Sequence, residues 1–324
     1  MRRSPALPAA AAMACMALVL SGCGQAANAT GSGADAEPTQ AGISIVTTTN
    51  VYGDIAATIG GDRVQVVSII SKTSQDPHSY EPTPQDKLAL SKADLAIANG
   101  GGYDPFFDTI TEASGLGQDR VVHAFDVAEP EHSGESHAHG EEETADAAHG
   151  EVNEHVWYNM SAVAKIADEI AARLGSVDPQ GAADFAANAE RFKSEAAAIA
   201  AKLESIKARH SGEGVALTEP LPLYILEAAG LQNRTPEDFL EAAEEGNDVP
   251  AGALKSTIDL VASPDVQFLA YDAQTSTAQT EKVREAAESA NLPVVNFTET
   301  LPEGKNFIQW MNENADNIDT ALRH

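Results

Sequence analysis

From residue 43 onward, short apolar runs alternate with longer stretches whose apolar positions step by three and four. Ile43–Val46 reads as a strand, followed by the polar run Thr47-Thr-Thr-Asn50 and a helical stretch over Asp54–Ile59. Val64–Ile70, Asp94–Ala98 and Val121–Val122 read as further strands, with helices over Pro84–Lys92 and Phe106–Ser114 between them. Strands separated by helices of about ten residues imply βαβ units and a parallel sheet. Residues 41–176 are therefore expected to form one α/β lobe.

Two long helical patterns follow. The first covers Ser161–Leu174, with Ser161 as its expected N-cap. The second starts near Asp178-Pro179, a capping residue followed by proline at the first helical position, and runs to His210. Its apolar positions Phe185, Ala189, Phe192, Ala196, Ile199, Leu203 and Ile206 lie on one helical face. At 1.5 Å per residue the rod is roughly 45 Å long, enough to span more than one lobe. After Ser211–Gly214 the alternation resumes, with strands over Val215–Thr218, Gln267–Tyr271 and Val294–Phe297. Helices are expected over Pro236–Glu245, Gly252–Val261, Thr277–Ala290 and Asn306–Leu322. The fold class is α/β: two Rossmann-like lobes, each a mostly parallel sheet flanked by helices, joined by one long helix at 177–211, with the second lobe at 212–324.

Ahead of the first lobe the pattern is different. Arg2 and Arg3 precede a short apolar stretch from Pro5 to Leu20, too short for a comfortable membrane span. It ends in Leu20-Ser21-Gly22-Cys23, which matches the bacterial lipobox. Residues 1–22 are expected to be a lipoprotein signal peptide, with Cys23 the lipidated residue that anchors the chain outside the cell membrane. Two or three acyl chains would hold it durably, where one would be marginal. Residues 23–40 are small and polar and read as a flexible tether.

Composition narrows the partners. Of 324 residues, 43% are hydrophobic, which supplies a real core, and only 5% are aromatic, which favours helices packed through small side chains. Twenty Lys+Arg against 49 Asp+Glu give a net charge of −29, which repels nucleic acid and concentrates cations. The acid is densest at 129–154, where nine carboxylates accompany His132, His137, His139 and His149, with His155 next to them. Imidazole and carboxylate together suit divalent first-row metals, and the irregular spacing suggests a collecting loop with weak, fast exchange.

A tight site needs fewer ligands on stiffer elements. His78 lies in Gln75-Asp-Pro-His-Ser-Tyr-Glu-Pro82, a proline-flanked turn after the second strand, and His155 in Asn153-Glu-His-Val-Trp-Tyr158. Taken alone, each is as readily a structural histidine as a ligand. Glu219 and Asp272 follow two apolar strands of the second lobe, where ligands of open α/β sheets bind. A carboxylate placed there is costly to bury without a cation or donor. Helix capping is a poor alternative for either: Thr277 is too far from Asp272, and Pro220 and Pro222 argue against a helix just after Glu219.

At these residues the chain resembles the cluster A-I solute-binding proteins, the ZnuA-like metal-binding lipoproteins of zinc and manganese ABC transporters, with the streptococcal adhesin lipoproteins as cousins. The matching segments are Thr47–Asn50, Asp76–Pro82, Asn99–Asp104, Asn153–Trp157, Thr218–Pro220, Asn296–Pro302 and the lipobox. The resemblance implies one metal held between two lobes by four side chains, which fall on His78, His155, Glu219 and Asp272. The third ligand is a histidine in zinc-type members and a carboxylate in manganese-type ones, so Glu219 points to manganese while the His-rich loop points to zinc. His123 and His210 are the remaining histidines that could substitute, and His210 reads better as a favourable charge at the end of the long helix.

The expectation is a monomeric binding protein that captures Zn²⁺, or alternatively Mn²⁺, and delivers it to an ABC-transporter permease. Asn50, Tyr80 and Asn153 are the residues expected to orient the imidazoles. An enzyme is not expected: there is no HExxH, no Ser or Cys nucleophile motif, and Gly100–Gly102 lacks the spacing and lysine of a phosphate loop. The rival reading is a surface adhesin or extracellular metal buffer using the same site.

Overall fold

The computed structural model describes residues 42–128 and 153–323. The expected signal peptide and tether, Cys23 and the histidines at 132, 137, 139 and 149 lie outside the described residues. The first sheet contains β1 (Ile43–Thr49), β2 (Val64–Ile70), β3 (Leu95–Ala98) and β4 (Val121–His123), all parallel, in the order β2-β1-β3-β4. Helices α1 (Asn50–Gly60), α2 (Pro84–Leu90), α3 (Pro105–Ser114) and the short α4 (Ala124–Ala128) connect or follow them. β1 runs three residues past the expected end. Thr47 to Thr49 are buried there, and two of the hydroxyls find partners: Thr47 donates to the Thr49 carbonyl at 2.8 Å and Thr48 to the Ile97 carbonyl at 3.2 Å.

Helices α5 (Met160–Val177) and α6 (Ala182–His210) follow, then a second parallel sheet in the order β6-β5-β7-β8. Its strands are β5 (Gly214–Leu217), β6 (Gln232–Asn233), β7 (Leu269–Asp272) and β8 (Val294–Phe297). The flanking helices are α7 (Leu223–Ala228), α8 (Glu237–Glu244), α9 (Ala251–Val261), α10 (Ala278–Ser289) and α11 (Phe307–Ala321). In both sheets the strand order reverses between the first and third strands, so two switch-point crevices open at the carboxyl ends of β1 and β3 and of β5 and β7.

Four local expectations are corrected. The cap of α5 is Asn159, whose Oδ1 accepts from the backbone N–H of Ser161 at 3.0 Å and of Ala162 at 3.2 Å; Ser161 is already inside the helix. α6 starts at Ala182, because Asp178 is held in a turn by Arg63 at 2.9 Å and by the Gln180 N–H at 3.1 Å. α7 begins directly after Pro222. A residue at a helix start has no intrahelical N–H partner to lose, so the prolines that were expected to exclude a helix initiate one. The strand β6 and helix α4 went unexpected because two and five residues are too few to show a period.

α6 has 29 residues, about 43 Å of helix. It buries the seven apolar side chains its spacing singles out, against α1 and α5 on one side and α7 and α11 on the other. One continuous apolar cluster thereby runs from β1 through α6 to α11. Polar stitches reinforce the joint. Asn50 donates to the Leu301 carbonyl at 2.8 Å and accepts from the Leu301 N–H at 2.9 Å, while Asp54 accepts from the Phe307 N–H at 2.8 Å at the start of α11. Among the described residues no helix is long and apolar enough to cross a membrane.

Candidate metal centre

The switch-point crevices of the two lobes face each other, and the strand ends carry acid into the gap. Asp272 is the last residue of β7. Glu219 stands two residues past β5, and Glu299 stands two residues past β8 in the same Thr-Glu setting. All three are buried, at 3%, 4% and 0% exposure respectively. Their carboxylate oxygens lie within 4.8 Å of one another. No Lys or Arg among the described residues pairs with them. The Thr275 hydroxyl lies 2.7 Å from Glu219 Oε1 and 2.9 Å from Asp272 Oδ2, but one hydroxyl proton serves only one of them at a time.

His155 enters from the segment before α5. Its Nδ1–H donates to Asn153 Oδ1 at 2.7 Å, and its backbone N–H donates to the same oxygen at 3.0 Å. The Asn153 amide nitrogen is committed to the Pro220 carbonyl at 3.0 Å, which settles which end of the amide faces the ring. The proton therefore sits on Nδ1 and leaves the Nε2 lone pair bare. Nε2 lies 3.6 Å from Glu299 Oε1, and both atoms are buried without a hydrogen-bond partner. The other Glu299 oxygen accepts from the Tyr103 hydroxyl at 3.0 Å. Tyr103 also stacks edge-on to Trp157 and His78, each at 4.9 Å.

His78 is carried by the loop after β2, whose Asp76 accepts from the His78 N–H at 2.9 Å. Its ring centroid lies 6.2 Å from that of His155, and a ligand atom of each ring falls within 4.8 Å of a Glu299 oxygen. The loop is tied to the second lobe by Gln274. That side chain donates to the Gln75 carbonyl at 2.7 Å while its oxygen accepts from the N–H groups of Glu299 and Thr300, each at 3.1 Å. His78 Nδ1 is 3.5 Å from Glu154 Oε1. This is a neutral contact: burial lowers His78 to about 4 and pushes Glu154 up to about 9.

The electrostatics are those of a site short of positive charge. Burial first, then the Asp272 and Glu299 carboxylates, pushes Glu219 up to about 11. Burial and Asp272 raise Glu299 well above the carboxylate range. Burial holds the His155 imidazole below its ordinary value, and so neutral. Neutral imidazoles and closely set carboxyls form a donor set that a divalent cation would complete.

Of the expected residues, His78 and His155 thus gather with Glu299, Glu219 and Asp272 gather with the same Glu299, and Asn153 orients an imidazole. Asn50 and Tyr80 do not: Asn50 is spent on Leu301, and the Tyr80 hydroxyl bonds Asp86 at 3.1 Å. His123 bonds Asp108 at 2.8 Å and His210 bonds Glu213 at 3.1 Å, both outside the cleft. Glu299 was missed, although the strand-end argument that singles out Glu219 applies equally to β8. Glu244, at the end of α8, also approaches His155 and carried no signal in the chain.

Comparison with known proteins agrees with this architecture. The manganese-binding lipoprotein MntA of Halalkalibacterium halodurans is 32% identical over 178 residues, 55% of this chain and about half (52%) of that protein. The manganese ABC transporter substrate-binding lipoprotein scaA of Streptococcus gordonii is 24% identical over 292 residues, 86% of this chain and 89% of that one. The crystal structure of ZnuA superposes with a TM-score of 0.67 at 19% identity, covering 87% of this chain and 99% of the other. The Mn²⁺ complex of the binding protein FpvC from Pseudomonas aeruginosa gives 0.69 at 22% identity, with 87% and 98% covered. Both superpositions establish the fold, two parallel-sheet lobes joined by a long helix. Residues 45–321 match the family described as the periplasmic component A of the zinc-uptake complex, ZnuA, and the chain belongs to that family.

Proposed function

We propose that the chain captures a divalent first-row metal ion, zinc in preference to manganese, in the cleft between its lobes and hands it to an ABC-transporter permease for uptake. The observation that carries this reading is the pair of bare buried atoms, His155 Nε2 and Glu299 Oε1, 3.6 Å apart. A buried donor or acceptor left unmatched costs about 1–3 kcal/mol, and one cation would satisfy both. In this reading the ion sits against Glu299, with His78 and His155 on one side and Glu219 and Asp272 on the other. Asn153 fixes the His155 tautomer. The family is one of binding components and not of enzymes, so capture and release are the whole of the task.

Zinc is preferred because affinity for nitrogen and oxygen donors rises along the first row toward copper and zinc. Manganese is the second reading. It is favoured by three buried carboxylates against two imidazoles, and by relatives named for manganese. Attachment to the outer face of the membrane through lipid on Cys23 rests on the Leu20–Cys23 motif and on relatives that are lipoproteins. The histidines at 132, 137, 139 and 149 serve as a secondary collecting tract, and the protein works as a monomer.

The test is titration of chelator-stripped protein, residues 24–324, with Zn²⁺ and Mn²⁺, reading metal content and affinity. One tightly held zinc per chain is expected, surviving deletion of residues 131–150 and lost in His155→Ala and Glu299→Ala. If stoichiometric binding vanishes with the deleted tract and ignores Glu299, the cleft is not the site and the buffer reading replaces it. Delivery is tested separately: deleting the gene should lower metal uptake, and unchanged uptake would favour the adhesin or buffer role.

A further inference from the structure

Beside the proposed ligands lies a second donor group that this reading leaves without a task. Glu154, His155 and Glu244 each offer one ligand atom, all within 4.8 Å of one another. Glu154 comes from the first lobe and Glu244 from the end of α8 in the second, so the fold brings two carboxyls together across the cleft. Among the described residues neither is paired with a Lys or Arg, and the Glu244 carboxyl has no hydrogen-bond donor. Space is kept for Glu154 as well. Gly102, at φ +103°, has no Cβ, and a Cβ there would stand 3.1 Å from Glu154 Oε2.

The carboxyls of the two groups differ in depth, while the His78 side chain of the deeper group is itself 25% exposed. Glu219, Asp272 and Glu299 are 0–4% exposed, whereas the Glu154 side chain is 14% exposed and Glu244 is half-buried. The outer group also shares His155 with the His78 and Glu299 group. Because His155 Nδ1 is committed to Asn153, an ion held by either of them has only the Nε2 lone pair of that ring to take; the side chain is 1% exposed and Nε2 has no hydrogen-bond partner. They cannot both be filled at once, so the outer group is no place for a second ion.

We propose that Glu154 and Glu244, with His155, form a transient outer cation position through which one ion passes into and out of the buried ligand set, pivoting on His155 Nε2. The proposal rests on the metal-capture reading above. An ion entering a dry site must exchange water for protein oxygen, and an intermediate position lets it do so a few donors at a time. Such a position lowers the barrier in both directions and leaves the end states alone. It is a kinetic device, distinct from a ligand and distinct from general attraction by negative charge.

The experiment compares stripped wild type with Glu244→Gln and Glu154→Gln, and with Glu245→Gln, which removes the same charge from the exposed neighbour. Zn²⁺ association is followed by stopped flow and dissociation by transfer to a chromophoric chelator, with Kd and stoichiometry measured independently. Thermal melts of the metal-free variants confirm folding. In Glu244→Gln, association and dissociation should slow by the same factor, of order tenfold, with Kd and the one-ion stoichiometry unchanged and Glu245→Gln near wild type. Unchanged rates in Glu244→Gln overturn the proposal. So does a weaker Kd carried by faster dissociation, which would make Glu244 a resident ligand, and so does an equal slowing in Glu245→Gln, which would make the effect plain steering. Binding of two ions also overturns it. Wild type that holds no divalent ion overturns the capture reading itself, a result distinct from any of these.

Discussion

A single amide decides what His155 can do. Asn153 holds the ring through Nδ1 and is itself held by Pro220, so the metal-facing nitrogen is bare before any ion arrives. Asn153→Ala should therefore weaken zinc binding about 10–100-fold while leaving the unfolding midpoint of the metal-free protein near wild type, read by competitive titration and thermal melts. Proton bookkeeping gives a second prediction. In the unfolded chain these carboxyls titrate near 4.5 and the imidazoles near 6.5, whereas in the fold Glu154 and Glu219 are raised to about 9 and about 11 and His78 is lowered to about 4. The lowered imidazole reduces stability as pH falls below 6.5. The raised carboxyls reduce it as pH climbs above 4.5 toward their folded values, because the unfolded chain has already released those protons. Between pH 6.5 and 9 only the carboxyl effect remains, so the metal-free protein should melt at progressively lower temperature across that window. Saturating zinc takes the place of the protons and should flatten or reverse the slope. Melts at pH 6.5, 7.5 and 8.5, with chelator and with zinc, read both signs. Most of these residues were visible beforehand because a histidine between prolines or an acid at a strand end stands out from its surroundings. Glu244 was not, because one more glutamate on an acidic helix differs from its neighbours only in where the fold points it.

Elements were legible where they were long. The face of α6 was readable residue by residue, since seven apolar positions over eight turns leave no competing period. Its start was not, because Asp178 has a tertiary partner in Arg63 that no local pattern contains. The start of α5 shows the same limit on a finer scale. Asn159 and Ser161 are both good capping residues, and the choice between them depends on which one leaves the helical conformation; Asn159 does, at φ −97° and ψ 106°. Asn159→Ala should cost about 1 kcal/mol in urea unfolding, with Ser161→Ala well below that. Equal costs would mean that Ser161 shares the cap. α7 teaches the converse, for a proline ahead of a helix is a beginning as readily as an end.

The whole molecule is held both at its joint and across its cleft. Around α6 the lobes share one apolar core and the stitches from Asn50 and Asp54, and beside the site they are tied by Gln274 to Gln75, Tyr103 to Glu299, Asn153 to Pro220 and Tyr224 to the Asn153 carbonyl. A cation taking ligands from both lobes would add one more tie across the cleft. By mass action zinc at 100 times its Kd should stabilise the fold by about 2.7 kcal/mol, seen as a rise of a few degrees in the melting midpoint. The rise should persist without residues 131–150 and disappear in His155→Ala. The two-lobe plan was legible from the alternation of strand and helix, but the opposition of the two crevices was not, because it depends on how helices pack over long separations.

The five proposed ligands lie between positions 78 and 299, and none of the three donor groups is confined to one local segment. Closing such loops is entropically unfavourable until the sheets exist to hold their ends. The buried centre is therefore absent from an extended chain and from any half of the molecule. A protein of this build that is secreted before it folds leaves the cytoplasm empty and first meets its cargo on the side where it matures. Its filling then reports the metal supply of that compartment and of no other.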